Sequence, residues 1–573
     1  MKAYILSICG ILHYLSWFSI VVHSFSFQTQ TVLHQSSQLF ASEHAVTTNE
    51  FSNFDYESQW YPVIWARDLE LNEPTKVTVF DVDYVVARLK NNEVIAMKDV
   101  CTHKQAALSE GRVTSSGNFQ CAYHGWSFDG KTGECVEIPQ IVQNRSDEKG
   151  GAKIPARACG DAVPAQIHQD MVWLFPGGNL EKALLAPPPP SIPEFDDFHN
   201  IATVRDMPVD WPIVMSNILD PDHGLFAHQN AGFDWYTASL DCPYDSFESF
   251  STEKGWGMRS QVEAKDKLLF VDQKYRQTVG KSKKKQEKEE KDVNIPLATM
   301  EYHAPTHATL KRVDKDTGKT NFITTFYLCP VGVGRTRFMG GALTKFKLPR
   351  WIFTTNLNGF LDQDTYLLAT QQPYILEKEA QDIRNIMKEH GIARDETEKL
   401  KGIRTTTRQK LFCLPSPTEK VGAKLEQFWD ATLTGVPNRV ETLLKMDDAN
   451  ILATNPSREV VLDRKVQNLD ISKESRDVVK NCKKIRRVSK GLAFLLGIAK
   501  IVTLNPLPGS LIMWFMPALR PILKLKTFIP LFTTLLLANY LSRKLESKFY
   551  FTSTDDRRKA DMKKIPEKIW LDK

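Results

Sequence analysis

The chain has 573 residues, of which 25 % are charged and 42 % hydrophobic, with a formal net charge of +6. That length calls for more than one domain, and so small a charge imbalance argues against nucleic acid as a partner. Nine cysteines, an odd number scattered along the chain, do not make a disulfide framework and fit a reducing compartment.

From the N-terminus, residues 4–22 form an apolar run behind Lys2. Charge followed by an apolar stretch is the pattern of a secretory signal; a membrane anchor is the alternative. From Ser24 to Thr48 the chain is rich in Ser, Thr and Gln, and its first acid is Glu43. A hydroxyl-rich, acid-poor segment is what a plastid transit peptide looks like. With Phe25 and Phe27 at the join, residues 1–48 resemble the two-part presequence of algae with complex plastids.

Trp60-Tyr-Pro-Val63 opens the folded part, and Val77–Phe80, Tyr84–Arg88 and Val94–Met97 predict short strands turning at Asn91-Asn92. Next come Cys101-Thr-His103 and Cys121-Ala-Tyr-His124, separated by Lys104 to Gln120. Two Cys/His pairs spaced C-x-H and C-x-x-H suit a Rieske [2Fe–2S] cluster, whose cysteines hold one iron and whose histidines hold the other. Zinc also accepts two Cys and two His, but usually as a Cys pair followed by a His pair. Gly125, Gly130 and Gly133 supply turns for the loops. Tyr123 stands where the cytochrome-complex type of Rieske protein has a disulfide cysteine. With Val172–Phe175 these pieces predict an all-β domain over 57–178, followed by a proline-rich linker at 187–190.

Asn217-Ile-Leu-Asp220-Pro-Asp-His223 continues to His228. Two imidazoles joined by a carboxylate from elsewhere make the facial triad of non-haem Fe(II) oxygenases. Alone, the pair would read as two ordinary histidines; a one-electron relay upstream, however, needs a place to deliver its electron. Lys281–Lys291 is a mixed-sign run, a ferredoxin-docking candidate that reads better as a solvated loop. His303 and His307 flank Pro305, which disfavours a helix there. Phe322–Leu328 and Arg335–Met339 predict strands of a curved sheet. Near the end, Gly491–Ala499, Ile501–Leu519 and Thr527–Leu541 are apolar runs with basic residues around them. A span needs about 20 apolar residues, so we expect a membrane-attached hairpin or two spans, with a buried hairpin as the alternative.

The order C-x-H, C-x-x-H, N-x-x-D-x-x-H-x-x-x-x-H resembles the Rieske non-haem iron oxygenases. Leu108–Arg112, Gln120–Phe128 and Ile138–Gln140 resemble their plastid branch of pheophorbide a oxygenase, chlorophyllide a oxygenase and Tic55-like proteins. The resemblance implies an α+β chain: the Rieske domain, a helix-grip-like catalytic domain over 195–480 (a curved antiparallel sheet with helices), and a hydrophobic helical anchor and tail over 481–573. It implies a carboxylate as third iron ligand, with Asp364, seven before Gln371, preferred over Asp362. Asp362 otherwise reads as an exposed carboxylate at a helix start. It implies that Asp220 links a Rieske histidine of one subunit to His223 of the next, with Asn217 nearby, in a homotrimer. Finally it implies one [2Fe–2S] cluster and one mononuclear Fe(II) per subunit, reduced ferredoxin as donor, O2, a chlorophyll-derived tetrapyrrole and a plastid membrane. A Tic55-like electron carrier of protein import, or an oxygenase of a sterol, carotenoid or aromatic, are the rivals. The dithiol motif of the plastid branch is reduced here to Cys482, since position 479 is Val.

Overall fold

The structure, a computed structural model, describes residues 50–51, 53–142, 154–220, 223, 227, 246–251, 255–262, 297–313, 317–415, 419–452, 457–504 and 524–550. The presequence, the Lys281–Lys291 run and His228 lie outside them.

Ten strands precede residue 178. β1 (Tyr61–Trp65), β9 (Ala165–His168) and β10 (Met171–Leu174) form one antiparallel sheet in the order β1-β10-β9. β2 (Thr75–Val79), β3 (Val82–Arg88) and β4 (Val94–Lys98) form a second. The expected turn is there, with Asn92 left-handed at φ 67°, a conformation Asn tolerates. β5 (Arg112–Val113), β6 (Phe119–Gln120), β7 (Ser127–Phe128) and β8 (Cys135–Glu137) make a small third sheet. It has its own core of Leu108, Phe119, Phe128 and Ile138 around Cys101 and Cys121.

The second part holds, among the described residues, one eight-stranded antiparallel sheet. Its order is β11 (His199–Asn200), β18 (Arg335–Thr344), β17 (Thr320–Gly332), β16 (His307–Val313), β15 (Leu297–His303), β14 (Trp256–Val262), β13 (Ser246–Ser251). β12 (Thr203–Met207) also pairs with β18. The predicted strands at Phe322 and Arg335 are thus the long hairpin β17–β18, and His303 pairs directly with His307 across the β15–β16 turn. His307 is buried and bonded to the hydroxyls of Thr325 and Thr309, at 3.2 and 3.0 Å. The first domain packs onto this sheet: Phe80 and Asp81 donate their N–H groups to Pro330 and Val331, at 2.7 and 2.8 Å. One apolar cluster runs through Trp65, Val79, Met207, Tyr327 and Leu357.

Six helices matter for the sites: α1 (Trp211–Ile218), α2 (Arg350–His390), α3 (Lys420–Thr432), α4 (Arg439–Asp448), α5 (Lys473–Leu504) and α6 (Leu525–Ser547). α2 buries Phe353, Leu357, Leu361, Asp364 and Leu368, a stripe at helical spacing that faces the core. It stops at Gly391, φ 63°, whose N–H bonds the Met387 carbonyl, the usual left-handed helix stop. Asp362 departs from expectation. It lies mid-helix and fully buried, not exposed at a helix start.

Of the two expectations for the C-terminal runs, the hairpin is present and the two spans are not supported. α5 and α6 do form an antiparallel hairpin, tied by Arg486 to Glu546 and by Asn539 Nδ2 to the Arg486 carbonyl at 3.2 Å. Among the described residues, however, no helix is long and apolar enough to cross a membrane. The physical reason is charge: α5 carries Lys483, Lys484, Arg486, Arg487 and Lys490 about its middle, and α6 carries Arg543 and Lys544 near its end. Residues 505–523 lie outside the description.

Candidate metal centres

The first centre sits on two loops that leave β4 and β6. In the first, Cys101 N–H bonds the Ala106 carbonyl at 2.8 Å and Gln105 N–H bonds the Cys101 carbonyl at 2.9 Å. In the second, Cys121 N–H reaches the Trp126 carbonyl at 2.9 Å, Gly125 N–H returns to the Cys121 carbonyl at 3.0 Å, and Gly125 takes φ 76°. Each loop is closed by its own backbone, which holds each Cys/His pair on one short turn. Asp99 braces them by accepting from Ser109 N–H and Oγ, at 2.7 and 2.6 Å. Gln140 Nε2 holds the His124 carbonyl at 2.9 Å.

The four predicted ligands lie on adjoining loops as two pairs, Cys101 with Cys121 and His103 with His124; among the described residues no three of them meet at one point. Cys101 and Cys121 are buried, and the rings of His103 and His124 lie 4.4 Å apart at the outer edge. Trp126 stacks on His103 at 4.6 Å. Tyr123 projects into solvent beside His124. Burial raises the Cys101 thiol, partly offset by the His103 backbone N–H, while desolvation and then His103 lower His124. His103 Nδ1 is buried with no hydrogen-bond partner among the described residues. A buried imidazole nitrogen left without a partner is costly, and a metal bond would satisfy it. Two thiols and two imidazoles, one nitrogen so placed, fit a two-iron cluster.

The second centre lies where α1 meets α2. Asp210 precedes α1 and anchors it through paired bonds from Arg439, at 3.2 and 2.6 Å, and from Gly334 N–H at 3.2 Å. Its own N–H bonds Gln372 Oε1 at 2.6 Å. The chain leaves α1 through Asn217 and Asp220 and reaches His223. His223 Nδ1 lies 2.6 Å from the Asp220 carbonyl. A carbonyl only accepts, so Nδ1 donates to it and Nε2 is the nitrogen turned toward the cavity. That Nε2 faces Asp364 Oδ1 at 3.8 Å, and the Asp220 carboxylate stands 3.9 Å from Nδ1. Burial raises the Asp364 carboxyl to about 7, against the pull of His223, Arg205 and a hydrogen bond from Asn217. The structure thus brings Asn217, Asp220, His223 and Asp364 together. Among the described residues no three such groups converge on one ion; His228 is not described. An imidazole Nε2 facing a buried carboxylate supplies two of the three ligands of a facial triad and fits Fe(II).

A cavity of ≈ 90 Å³ adjoins this pair. Phe326, Phe338, Phe353, Phe360 and Leu361 line it, with Thr324 and Asn217 as polar wall. Gly341 keeps its floor open, since a Cβ there would lie 2.5 Å from the Phe353 ring.

Sequence reasoning missed the residues behind the ligands. Asp362 is held by Arg205 at 2.7 Å and by Arg464. Gln371 is exposed, while its neighbour Gln372 bonds the backbone entering α1. The available signal was an arginine, Arg205, between Val204 and Met207 on the short strand β12.

The Rieske [2Fe-2S] domain family matches residues 59–154, and the Pheophorbide a oxygenase family matches residues 302–382. The chain is 28 % identical over 352 residues to the protochlorophyllide-dependent translocon component 52 of Arabidopsis thaliana, covering 57 % of this chain and 61 % of that one. It is 36 % identical over 186 residues to the pheophorbide a oxygenase of Oryza sativa subsp. japonica, covering 32 % and 35 %. It is 28 % identical over 349 residues to TIC 55 of Pisum sativum, covering 57 % and 54 %. The match thus spans less than two thirds of each of these relatives. The chain carries a Rieske [2Fe–2S] domain, is similar to the pheophorbide a oxygenase family over 302–382, and resembles the plastid branch of the Rieske non-haem iron oxygenases.

Proposed function

We propose that the chain is a plastid Rieske-type oxygenase that acts on a chlorophyll-derived tetrapyrrole with electrons from reduced ferredoxin. The observation that carries this reading is His223 Nε2 facing buried Asp364 beside an apolar cavity, in a chain that also has the cluster loops. When bound, the cluster would relay single electrons and the mononuclear iron would activate O2. His223, His228 and Asp364 would hold that iron, and Asn217 steadies Asp364 by its hydrogen bond. The Phe326, Phe338, Phe353 and Phe360 rings exclude water from the reacting edge. At ≈ 90 Å³ the cavity is well below the roughly 300–1,000 Å³ of a whole-ligand pocket. It therefore suits one apolar edge or substituent of a macrocycle, with the remainder lying outside.

Further details belong to the same reading. Asp220 would link its subunit's His223 to a Rieske histidine of the next in a homotrimer. Relatives named as chloroplastic support a plastid location. The exposed Phe494, Leu495, Ile501, Leu536 and Leu537 of α5 and α6 suit docking on a membrane surface. The presequence would direct the chain into the complex plastid of an alga.

The experiment is anaerobic purification with iron counting, then incubation with reduced ferredoxin, O2 and pheophorbide, chlorophyllide and non-tetrapyrrole compounds. We expect one iron beyond the cluster's pair and turnover of a tetrapyrrole; turnover of the other compounds alone would sink the substrate. The likeness to TIC 55 and to a translocon component favours a second reading, an electron carrier of protein import. Replacing His223 with Ala separates the two, because a carrier keeps its electron transfer and an oxygenase loses turnover.

A further inference from the structure

Behind the ligand pair lies a buried charge assembly that the proposed chemistry does not use. Asp362 and Asp364 are two residues apart on α2, so their side chains leave the helix about 200° apart. Asp364 points to the cavity, and Asp362 points away from it into the packing between β12 and the C-terminal helices. Arg464 Nε and Nη2 both bind Asp362 Oδ2, the first at 3.0 Å. Arg205 Nη2 reaches Oδ1 at 2.7 Å. Arg205 also donates to Gln467 Oε1 at 3.0 and 2.8 Å and to the Asn358 carbonyl at 3.1 Å, one turn earlier on α2. Gln467 lies in a single π-helical turn, Lys465–Leu469, where Asn468 Nδ2 also bonds the Val204 carbonyl at 2.6 Å. Such turns place side chains that a regular helix would not.

Arg464 has one more donor, and its use decides the argument. Nη1 bonds the carbonyl of Lys548 at 2.9 Å, the residue that closes α6. One guanidinium therefore grips both the ligand helix and the end of the hairpin. A second tie lies at the start of α2, where Glu474 of α5 accepts from Trp351 N–H at 3.1 Å and pairs with Arg350 at 3.5 Å. The hairpin thus holds α2 at its first turn and again two residues from Asp364.

We propose that Arg464 and Asp362 are positioning residues that set the place of the Asp364 carboxylate and tie it to the docked C-terminal hairpin. The inference rests on the proposed mononuclear iron site. Its geometric content is specific: the planar guanidinium fixes Asp362 through two donors on one oxygen and fixes α6 through the third, which an ammonium group cannot reproduce.

The test uses the full chain with its cluster loaded, titrated anaerobically with Fe(II) alone. Cluster absorbance and electron paramagnetic resonance report folding. Arg464→Leu is expected to weaken Fe(II) binding at the mononuclear site by up to about 10-fold, the low end of the effect of losing a ligand's direct partner, because Arg464 acts through Asp362, with the cluster signals unchanged. Arg464→Lys is expected to fall between the two, since it keeps the charge and loses the fork. Lys465→Ala, at an exposed neighbour paired with Asp470, serves as a control with wild-type affinity. Fe(II) affinity within twofold of wild type in a folded Arg464→Leu chain overturns the proposal. If that variant does not assemble its cluster, Arg464→Lys decides by the same twofold criterion. Should the wild-type chain bind no iron beyond its cluster, the mononuclear site itself is refuted, and the proposal with it.

Discussion

Two aspartates separated by one residue have opposite fates in this chain, and mutation distinguishes them. Asp362 neutralises buried Arg205 and Arg464. Asp362→Ala would leave two guanidiniums without their counter-charge, a loss of about 3–5 kcal/mol, read as a lower denaturant midpoint. Asp364 sits in an apolar wall that works against its ionised form. Asp364→Ala removes a carboxyl whose burial opposes its charge but also strands the Asn217 donor, so it should lower the midpoint less than Asp362→Ala does, while the iron beyond the cluster disappears. His307 makes a separate pH prediction. Burial holds its imidazole well below 6.5, and His303 adds to this. The folded state keeps the ring neutral, and the unfolded state takes up a proton near pH 6.5. Its contribution is therefore complete above that pH and is lost as the pH falls, at up to about 1.4 kcal/mol per unit. His307→Gln should flatten the acid limb of a stability–pH curve by one proton; an unchanged limb would refute the assignment.

At the scale of elements, the legible features were the ones whose chemistry is local. Cys101, His103, Cys121 and His124 announce themselves because each pair sits in one short loop, and the β2–β3–β4 meander shows in alternation and in Asn91-Asn92. The sheet hairpin at Phe322 and Arg335 was legible for the same reason. The supports behind the iron pair were not, since Arg205 meets Asp362 and Arg464 meets Lys548 across long stretches of chain. The character of Asp362 was misjudged because nothing near it shows that α2 is covered on two sides, by the sheet and by the segment at 464–469. The apolar runs at the C-terminus and the basic residues around them were legible, but not that α5 continues through those charges as one helix, with no helix long and apolar enough to cross a membrane among the described residues. Packing of α2 on β18 yields its own prediction. Gly341 has φ 145°, and a Cβ would lie 2.5 Å from Phe353 and 3.1 Å from the Ala202 Cα. Gly341→Ala should cost about 1–3 kcal/mol by overpacking and push Phe353 into the cavity. In the proposed reaction this appears as a higher KM for the bulkiest substrate with the cluster signals intact.

For the whole molecule, the placement of the two centres raises the question of whose iron each cluster serves. The cluster loops carry their histidines at the outer edge, next to an exposed Tyr123, so the electron-delivering side of the domain is open to a neighbour. Asp220 is part-exposed beside His223, at the surface end of the iron pair. Both halves of the proposed bridge therefore face outward, the arrangement a head-to-tail ring requires. A carboxylate between two metal-bound imidazoles would orient both rings. Complementation of subunits tests this directly. One chain carries His223→Ala and retains its cluster; the other carries Cys121→Ala and retains its iron pair. Each homo-oligomer should be inactive. If electrons cross the boundary, mixed oligomers recover activity, because a sound cluster then faces a sound iron on the next subunit. If electrons stay within a chain, every mixed oligomer is as inactive as its parents. Adding Asp220→Asn to the His223→Ala chain should change nothing, since that chain's iron is already disabled. Adding it to the Cys121→Ala chain should remove the recovered activity, which assigns the bridge to the subunit that receives the electron.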